Sequence, residues 1–150
     1  MQNLLNNIKL YYVNAAISAA NNTNDASDIL DMSGFEGVIF ITPITDSVDT
    51  GVATLTVQQN TANSSSGMAA LSGAAATATS AANDDLNSKL LVVDVYRPRE
   101  RYVRSVLTSA TANIAFGDTI AILYQGSKMP ITQLAAEVAD SVVVTSPAEA

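Results

Sequence analysis

The stretch Val52-Ala-Thr-Leu-Thr-Val-Gln-Gln59 alternates with period two, placing Ala53, Leu55 and Val57 on one side and Thr54, Thr56 and Gln58 on the other. Successive side chains of an extended chain point to opposite faces, so this pattern buries one clean face only as a β-strand. Thr119–Gln125 repeats it, with Ile120, Ile122 and Tyr124 on one side. Lys89–Tyr96 and Arg101–Thr108 are dense in β-branched residues and predict two more strands. Gly37–Pro43 is apolar at both parities and predicts a strand buried on both faces, with Pro43 marking its end or an edge. Asp28–Met32 and Asn113–Asp118 predict short strands, and Lys9–Ser18 reads better as strand than as helix.

Seven or eight short strands with turn residues between them predict an all-β fold, an antiparallel β-sandwich or a jelly-roll-like barrel. No strand–helix rhythm appears, which disfavours a parallel α/β sheet. The polar link Thr45–Gly51 suggests that 37–43 and 52–59 are antiparallel neighbours. Pro98 suits the second position of a type I turn, so 89–96 and 101–108 are expected to form a hairpin with Arg97–Glu100 at its tip.

The 150 residues fit one domain, 1–150. Residues 60–88 are low in complexity and small in side chain, and are expected to form an extended loop or an arm. Ala74–Thr79 within them has strand character, and Met68–Leu71 could form a short helix. The tail 135–150 carries the triplet Val142-Val143-Val144, suited either to adding a strand to a partner's sheet or to completing its own.

Apolar residues make up 48% of the chain, so general disorder is not expected. Charged residues are only 14%, about half the usual share. The outside must therefore be built from Thr, Ser, Asn, Gln and Ala, a surface suited to burial against neighbours. A net charge of −7 opposes phosphate-backbone binding and attraction to anionic membranes, so neither nucleic acid nor membrane is an expected partner. No run of about 18 apolar residues is present, and the opening Met1–Val13 has no secretory pattern; a cytosol-like compartment is expected.

The chain contains neither cysteine nor histidine. That removes disulfides, thiolate chemistry, Cys-based zinc sites and the Ser-His and Cys-His pairs of nucleophilic catalysis. Asp25, Asp28 and Asp31 could in principle share a calcium ion, but their spacing is not that of an EF-hand loop. Asp84 and Asp85 are a weaker version of the same feature. Paired carboxylates could serve glycoside hydrolysis, with Glu36, Asp46, Asp49, Asp94, Glu100 and Asp118 available. Sugar sites also need aromatic platforms, and there is no tryptophan. No phosphate-binding glycine loop and no Ser-x-x-Lys motif appear. No catalytic residue, metal ligand or cofactor site is therefore assigned.

All four arginines fall within Val95-Tyr-Arg-Pro-Arg-Glu-Arg-Tyr-Val-Arg104. Arg97, Arg99, Arg101 and Arg104, interleaved with Tyr96 and Tyr102, are the candidate interface residues. Arginine forms bidentate pairs with carboxylates and, like tyrosine, is enriched at protein interfaces. The competing reading is an intramolecular network in which Asp94 and Glu100 hold the turn.

Three segments taken in order, Ile29–Phe40, Gly51–Gln59 and Leu91–Arg104, resemble small virion proteins of tailed bacteriophages and prophages. The resemblance lies in motif order over about residues 5–130 and carries no residue-level site. It implies a structural protein of the capsid decoration (cement) type, which binds as a homotrimer on the major capsid protein at three-fold sites. It further implies a location on the virion's capsid surface after assembly in the host cytoplasm. The alternatives are a tail or head-tail connector component, or a ligand- or carbohydrate-binding β-sandwich with an exposed tyrosine face among Tyr11, Tyr12, Tyr96, Tyr102 and Tyr124.

Overall fold

The computed structural model describes residues 3–145. After a 3-10 turn at Leu4–Asn6, the strands in chain order are β1 (Ile8–Asn14), β2 (Ile17–Ala20), β3 (Asn24–Ala26), β4 (Leu30–Asp31), β5 (Gly37–Ser47) and β6 (Val52–Asn60). They continue with β7 (Ala69–Thr79), β8 (Leu90–Tyr96), β9 (Tyr102–Ala110), β10 (Ile114–Phe116) and β11 (Thr119–Tyr124). All strand pairings are antiparallel.

Several short strands are halves of one interrupted line. β1 and β2 pair in succession with β11 and β10, and β5 accompanies both. β3 and β4 pair in succession with β9. Merging these halves leaves eight lines: β1/β2, β3/β4, β5, β6, β7, β8, β9 and β10/β11. In that numbering one sheet runs 1-8-3-6 and the other 2-7-4-5. Lines 1 and 8, 2 and 7, 3 and 6, and 4 and 5 are partners, as when one long antiparallel ribbon is wrapped into two facing sheets. This is jelly-roll order within a β-sandwich, as the alternation anticipated.

The core lies between the sheets. Val38 and Phe40 of β5, Leu91 and Val93 of β8, and Ala121 and Leu123 of β11 face Ala53, Leu55 and Val57 of β6 and Val103 and Leu107 of β9. Phe116, Ile114 and Ile44 fill the end where β10 replaces β11 as the neighbour of β5.

Two expected pairings are overturned. β5 and β6 lie in different sheets, and so do β8 and β9. In a jelly roll every sequential connection except the one between lines 4 and 5 crosses the sandwich, so neighbours in sequence are not neighbours in the ladder. The arginine turn is thus a corner joining the two sheets and not a hairpin tip.

Pro43 does not end its strand, because β5 continues to Ser47. The Ile44 amide donates to the Lys89 carbonyl, directing that residue's backbone toward β8. Pro43 therefore faces the opposite side, where Gly117 joins β10 to β11 and donates its own amide to the Pro43 carbonyl at 2.8 Å. Its missing N–H falls at a gap in the ladder.

Residues 60–88 are less of a loop than expected, since 69–79 form β7 at the edge of the second sheet. β7 is interrupted between Ala70 and Ala75, with Gly73 at φ +81° inside the bulge. No helix forms at Met68–Leu71. Within the tail, 135–145 adopt no strand, and 146–150 lie outside the described residues.

Candidate interaction surface

The corner between β8 and β9 begins at Arg97, whose backbone is left-handed with φ +53°. Its amide donates to the Glu36 carbonyl at 2.6 Å. Its guanidinium donates to Glu36 Oε2 through Nε (3.3 Å) and Nη2 (3.2 Å), and the Tyr96 hydroxyl donates to the same oxygen at 3.1 Å. The guanidinium also lies 5.1 Å from the centre of the Tyr96 ring. Hydrogen bonding to Glu36, and then its charge, hold the Arg97 pKa above the ordinary value.

Arg101 donates to both oxygens of Asp31, Nε to Oδ1 at 2.8 Å and Nη2 to Oδ2 at 2.7 Å. This planar, two-point pairing is the geometry guanidinium favours with carboxylate. It drives the Asp31 pKa below the usual carboxylate range and raises that of Arg101. Arg101 also stacks 5.3 Å from the centre of the Tyr102 ring. Arg104 points along the second sheet, where its Nε donates to Gln58 Oε1 at 2.8 Å.

The arginine partners are thus Glu36, Asp31 and Gln58. The expected partners Asp94 and Glu100 hold no arginine. Asp94 Oδ1 instead accepts from the Tyr124 hydroxyl at 2.6 Å. Arg99 stands apart: its amide donates to Gln59 Oε1, but among the described residues its exposed guanidinium has no hydrogen-bond partner. Beside it, a shallow depression of about 350 Å³ opens between the Leu71–Ala74 bulge and the end of β8, with Arg97, Pro98 and Arg99 on its rim.

The three aspartates considered for calcium do not converge. Asp31 is held by Arg101, and Asp25 Oδ2 accepts from Asn14 Nδ2 at 2.7 Å. Among the described residues no group of three or more acidic side chains is placed to hold a metal ion.

The outward face of the first sheet is the part sequence reasoning missed. Register sets Tyr12, Ile120, Ile41 and Val92 side by side across β1, β11, β5 and β8. Leu10, Ile122, Ile39 and Asp94 form the next row, and Ile8, Tyr124, Gly37 and Tyr96 the third. Leu90, Val92, Tyr96, Ile120 and Tyr12 are 40–59% exposed. Ile39 and Ile41 are only half-buried, so the expectation that 37–43 is buried on both faces is corrected. The signal was present in the sequence: Val38–Ile41 and Leu90–Val93 are apolar at both parities, one parity more than a one-sided core requires.

Gly37 organises the third row. A β-carbon there would overlap the Tyr124 ring, which lies across the glycine to reach Asp94 on β8. Burial first, then the bond to Asp94, raises the Tyr124 pKa well above that of an ordinary tyrosine. At the far side, the Tyr12 hydroxyl donates to Asp118 Oδ1 at 2.8 Å, and the Ala16 amide donates to the same oxygen.

The free edge of β1 is covered. Gln133 accepts from the Leu10 amide and donates to the carbonyls of Leu5 and Ile8, while Glu137 accepts from the Tyr12 amide. β8, at the opposite edge of the sheet, pairs only with β5 among the described residues.

No known protein family and no curated protein matches the sequence. Among solved structures, the fold is similar to that of the PBSX exported protein XepA, with 16% identity and a TM-score of 0.50. The alignment covers 99% of this chain and 44% of XepA, so the chain spans less than half of that protein. A structure of infectious bursal disease virus, Gx strain, aligns over 82% of this chain and 33% of its own at 11% identity and a TM-score of 0.33.

Proposed function

We propose that this protein is a non-enzymatic virion structural protein of the capsid decoration type, which self-associates as a homotrimer and binds the major capsid protein on the capsid surface. The observation that carries this reading is the outward face of the first sheet, where the row Tyr12, Ile120, half-buried Ile41 and Val92 crosses four strands beside half-buried Leu10, Ile122 and Ile39. Contiguous exposed apolar surface of this kind marks a site another protein covers. Jelly rolls recur in viral capsid and lectin domains, which by analogy supports the reading. The fold shared with an exported protein of PBSX and the motif order of residues 5–130 point the same way.

The arginine corner has two roles in this reading. Arg97 and Arg101 fasten the corner to Glu36 and Asp31. Arg99 is the cation available for a carboxylate on a neighbouring subunit or the capsid. The lectin-like alternative draws on exposed Tyr12 and Tyr96, but these stand on the two outer strands, about 14 Å apart at ordinary strand spacing. One sugar ring cannot lie on both. A ring larger than a trimer in solution would favour the tail or head-tail connector role.

The test is molar mass by light scattering, followed by co-sedimentation with undecorated tailed-phage capsids. The reading expects three times the 15.6 kDa protomer mass and capsid binding that Val92→Asp with Ile120→Asp abolishes. A folded protein that binds no capsid and is indifferent to both substitutions sinks it.

A further inference from the structure

Three features lack partners among the described residues and fit one another. The first is the open edge of β8, next to exposed Leu90, Val92 and Tyr96. An unpaired edge with apolar side chains is a template for another strand. The second is the segment 139–145, exposed throughout, whose Val142, Val143 and Val144 are 43–68% exposed. The third is charge: Arg99 is unpaired at the C-terminal end of β8, and exposed Asp140 precedes the valines without a partner among the described residues.

We propose that residues 139–145 of one copy add as an antiparallel strand to the open β8 edge of a neighbouring copy, bringing Asp140 to the Arg97–Arg99 corner. This rests on the self-associating part of the function proposed above and not on location in a virion.

The charges fix the direction. Antiparallel addition with Asp140 opposite Tyr96 sets Val142 beside Asp94 and Val144 beside Val92. The acid then sits against the arginines, and the two valines extend the apolar outer rows. A parallel strand would carry Asp140 to the other end of β8. Asp94 tolerates the neighbour because the Tyr124 hydroxyl already binds it.

Reach decides between copies. The segment leaves its own molecule at Glu137, which is tied to the Tyr12 amide on β1. β8 is three strands from β1, roughly 14 Å. Crossing that distance uses about four extended residues, whereas Asp140 lies three past Glu137, so Asp140 cannot stand opposite Tyr96 of its own β8. A neighbouring copy can present the whole segment. The contact is heterologous, edge to segment, and forms a ring where the rotation between copies closes.

The chain has no cysteine, so an engineered pair reports without background. Val92→Cys with Val144→Cys in one chain, oxidised, should give a ladder of covalent multimers of the 15.6 kDa protomer, absent from either single variant. Val142→Asp with Val144→Asp should return the mass to one protomer. Cross-linking by Val92→Cys alone would mean β8–β8 pairing and overturn the proposal. An intramolecular disulfide, or a monomeric parent with no ladder, overturns it equally. A ladder without capsid binding would remove the capsid reading and leave this one; capsid binding without a ladder does the reverse.

Discussion

Thr42 and Thr119 face each other across β5 and β11 inside the core, both fully buried, with their hydroxyls 2.8 Å apart. Each hydroxyl is the other's only side-chain partner among the described residues. Thr42→Val or Thr119→Val preserves shape but strands one hydroxyl beside the next core-facing pair, Phe40 and Ala121. The orphan's desolvation penalty is about 1–3 kcal/mol, whereas replacing both partners with apolar isosteres is close to neutral. Each single variant should therefore be about 1–3 kcal/mol less stable than the parent. The double variant should lie within about 1 kcal/mol of it, a coupling well above the additivity limit of about 0.5 kcal/mol. Urea unfolding followed by far-ultraviolet circular dichroism, at fixed protomer concentration so that self-association stays constant, measures all four corners of the cycle. In thermal melts each single should fall by roughly 2–4 °C per kcal/mol. A double variant that costs the sum of the two singles refutes the argument, because the hydroxyls would then be satisfied independently.

Gly37→Ala must push the Tyr124 ring off β5 and break its bond to Asp94, at about 1.5–3 kcal/mol for a hydrogen bond to a charged group; the same substitution in a Tyr124→Ala background should cost clearly less by urea unfolding. The raised Tyr124 pKa means its contribution is complete below the ordinary tyrosine value of about 10 and is lost as pH climbs past that toward the folded value. Tyr124→Phe should accordingly flatten the decline in stability above about pH 10, read from melting temperature against pH. Asp31 has the opposite sign: its lowered pKa gives stability present above the ordinary aspartate value of about 4 and lost as pH falls below it. Asp31→Asn should remove that acid limb, with a small effect at neutral pH because the pair with Arg101 is exposed.

Strands were legible because their signal is local. The alternation of Ala53, Leu55 and Val57 against Thr54, Thr56 and Gln58 fixes both conformation and buried face, and β6 buries that parity. Pairing was not legible, because in a jelly roll it is the least local property of the chain. β1 pairs with β11, more than a hundred residues away, while β5 and β6 separate into opposite sheets. Pro43 misled for a related reason: a missing donor ends a strand only where the ladder needs one, and that depends on the distant Gly117. Of β7 only Ala74–Thr79 shows strand character in the sequence, because alanine and threonine give little contrast between faces, and Ala69–Gly73 does not read as strand. The acids that hold Arg97 and Arg101 sit some sixty to seventy residues upstream, beyond any spacing rule.

The arginine concentration follows from the same topology. A corner between two sheets has few backbone bonds of its own, and in a chain with so few charges it is fastened by side chains reaching to other elements. Glu36 precedes β5 in the first sheet, and Asp31 ends β4 in the second. Arg97 grips one and Arg101 grips the other, so a five-residue turn is tied to both layers through two ion pairs and two stacked tyrosines. Arg99, midway between these anchors, is held at its backbone by Gln59, and among the described residues its side chain has no partner. A cation on a fastened turn loses less conformational freedom on pairing than one on a mobile loop. In the proposed assembly the corner would present Arg99 as a preorganised contact, and removing Asp31 or Glu36 should weaken association through Arg99 without either acid touching the partner.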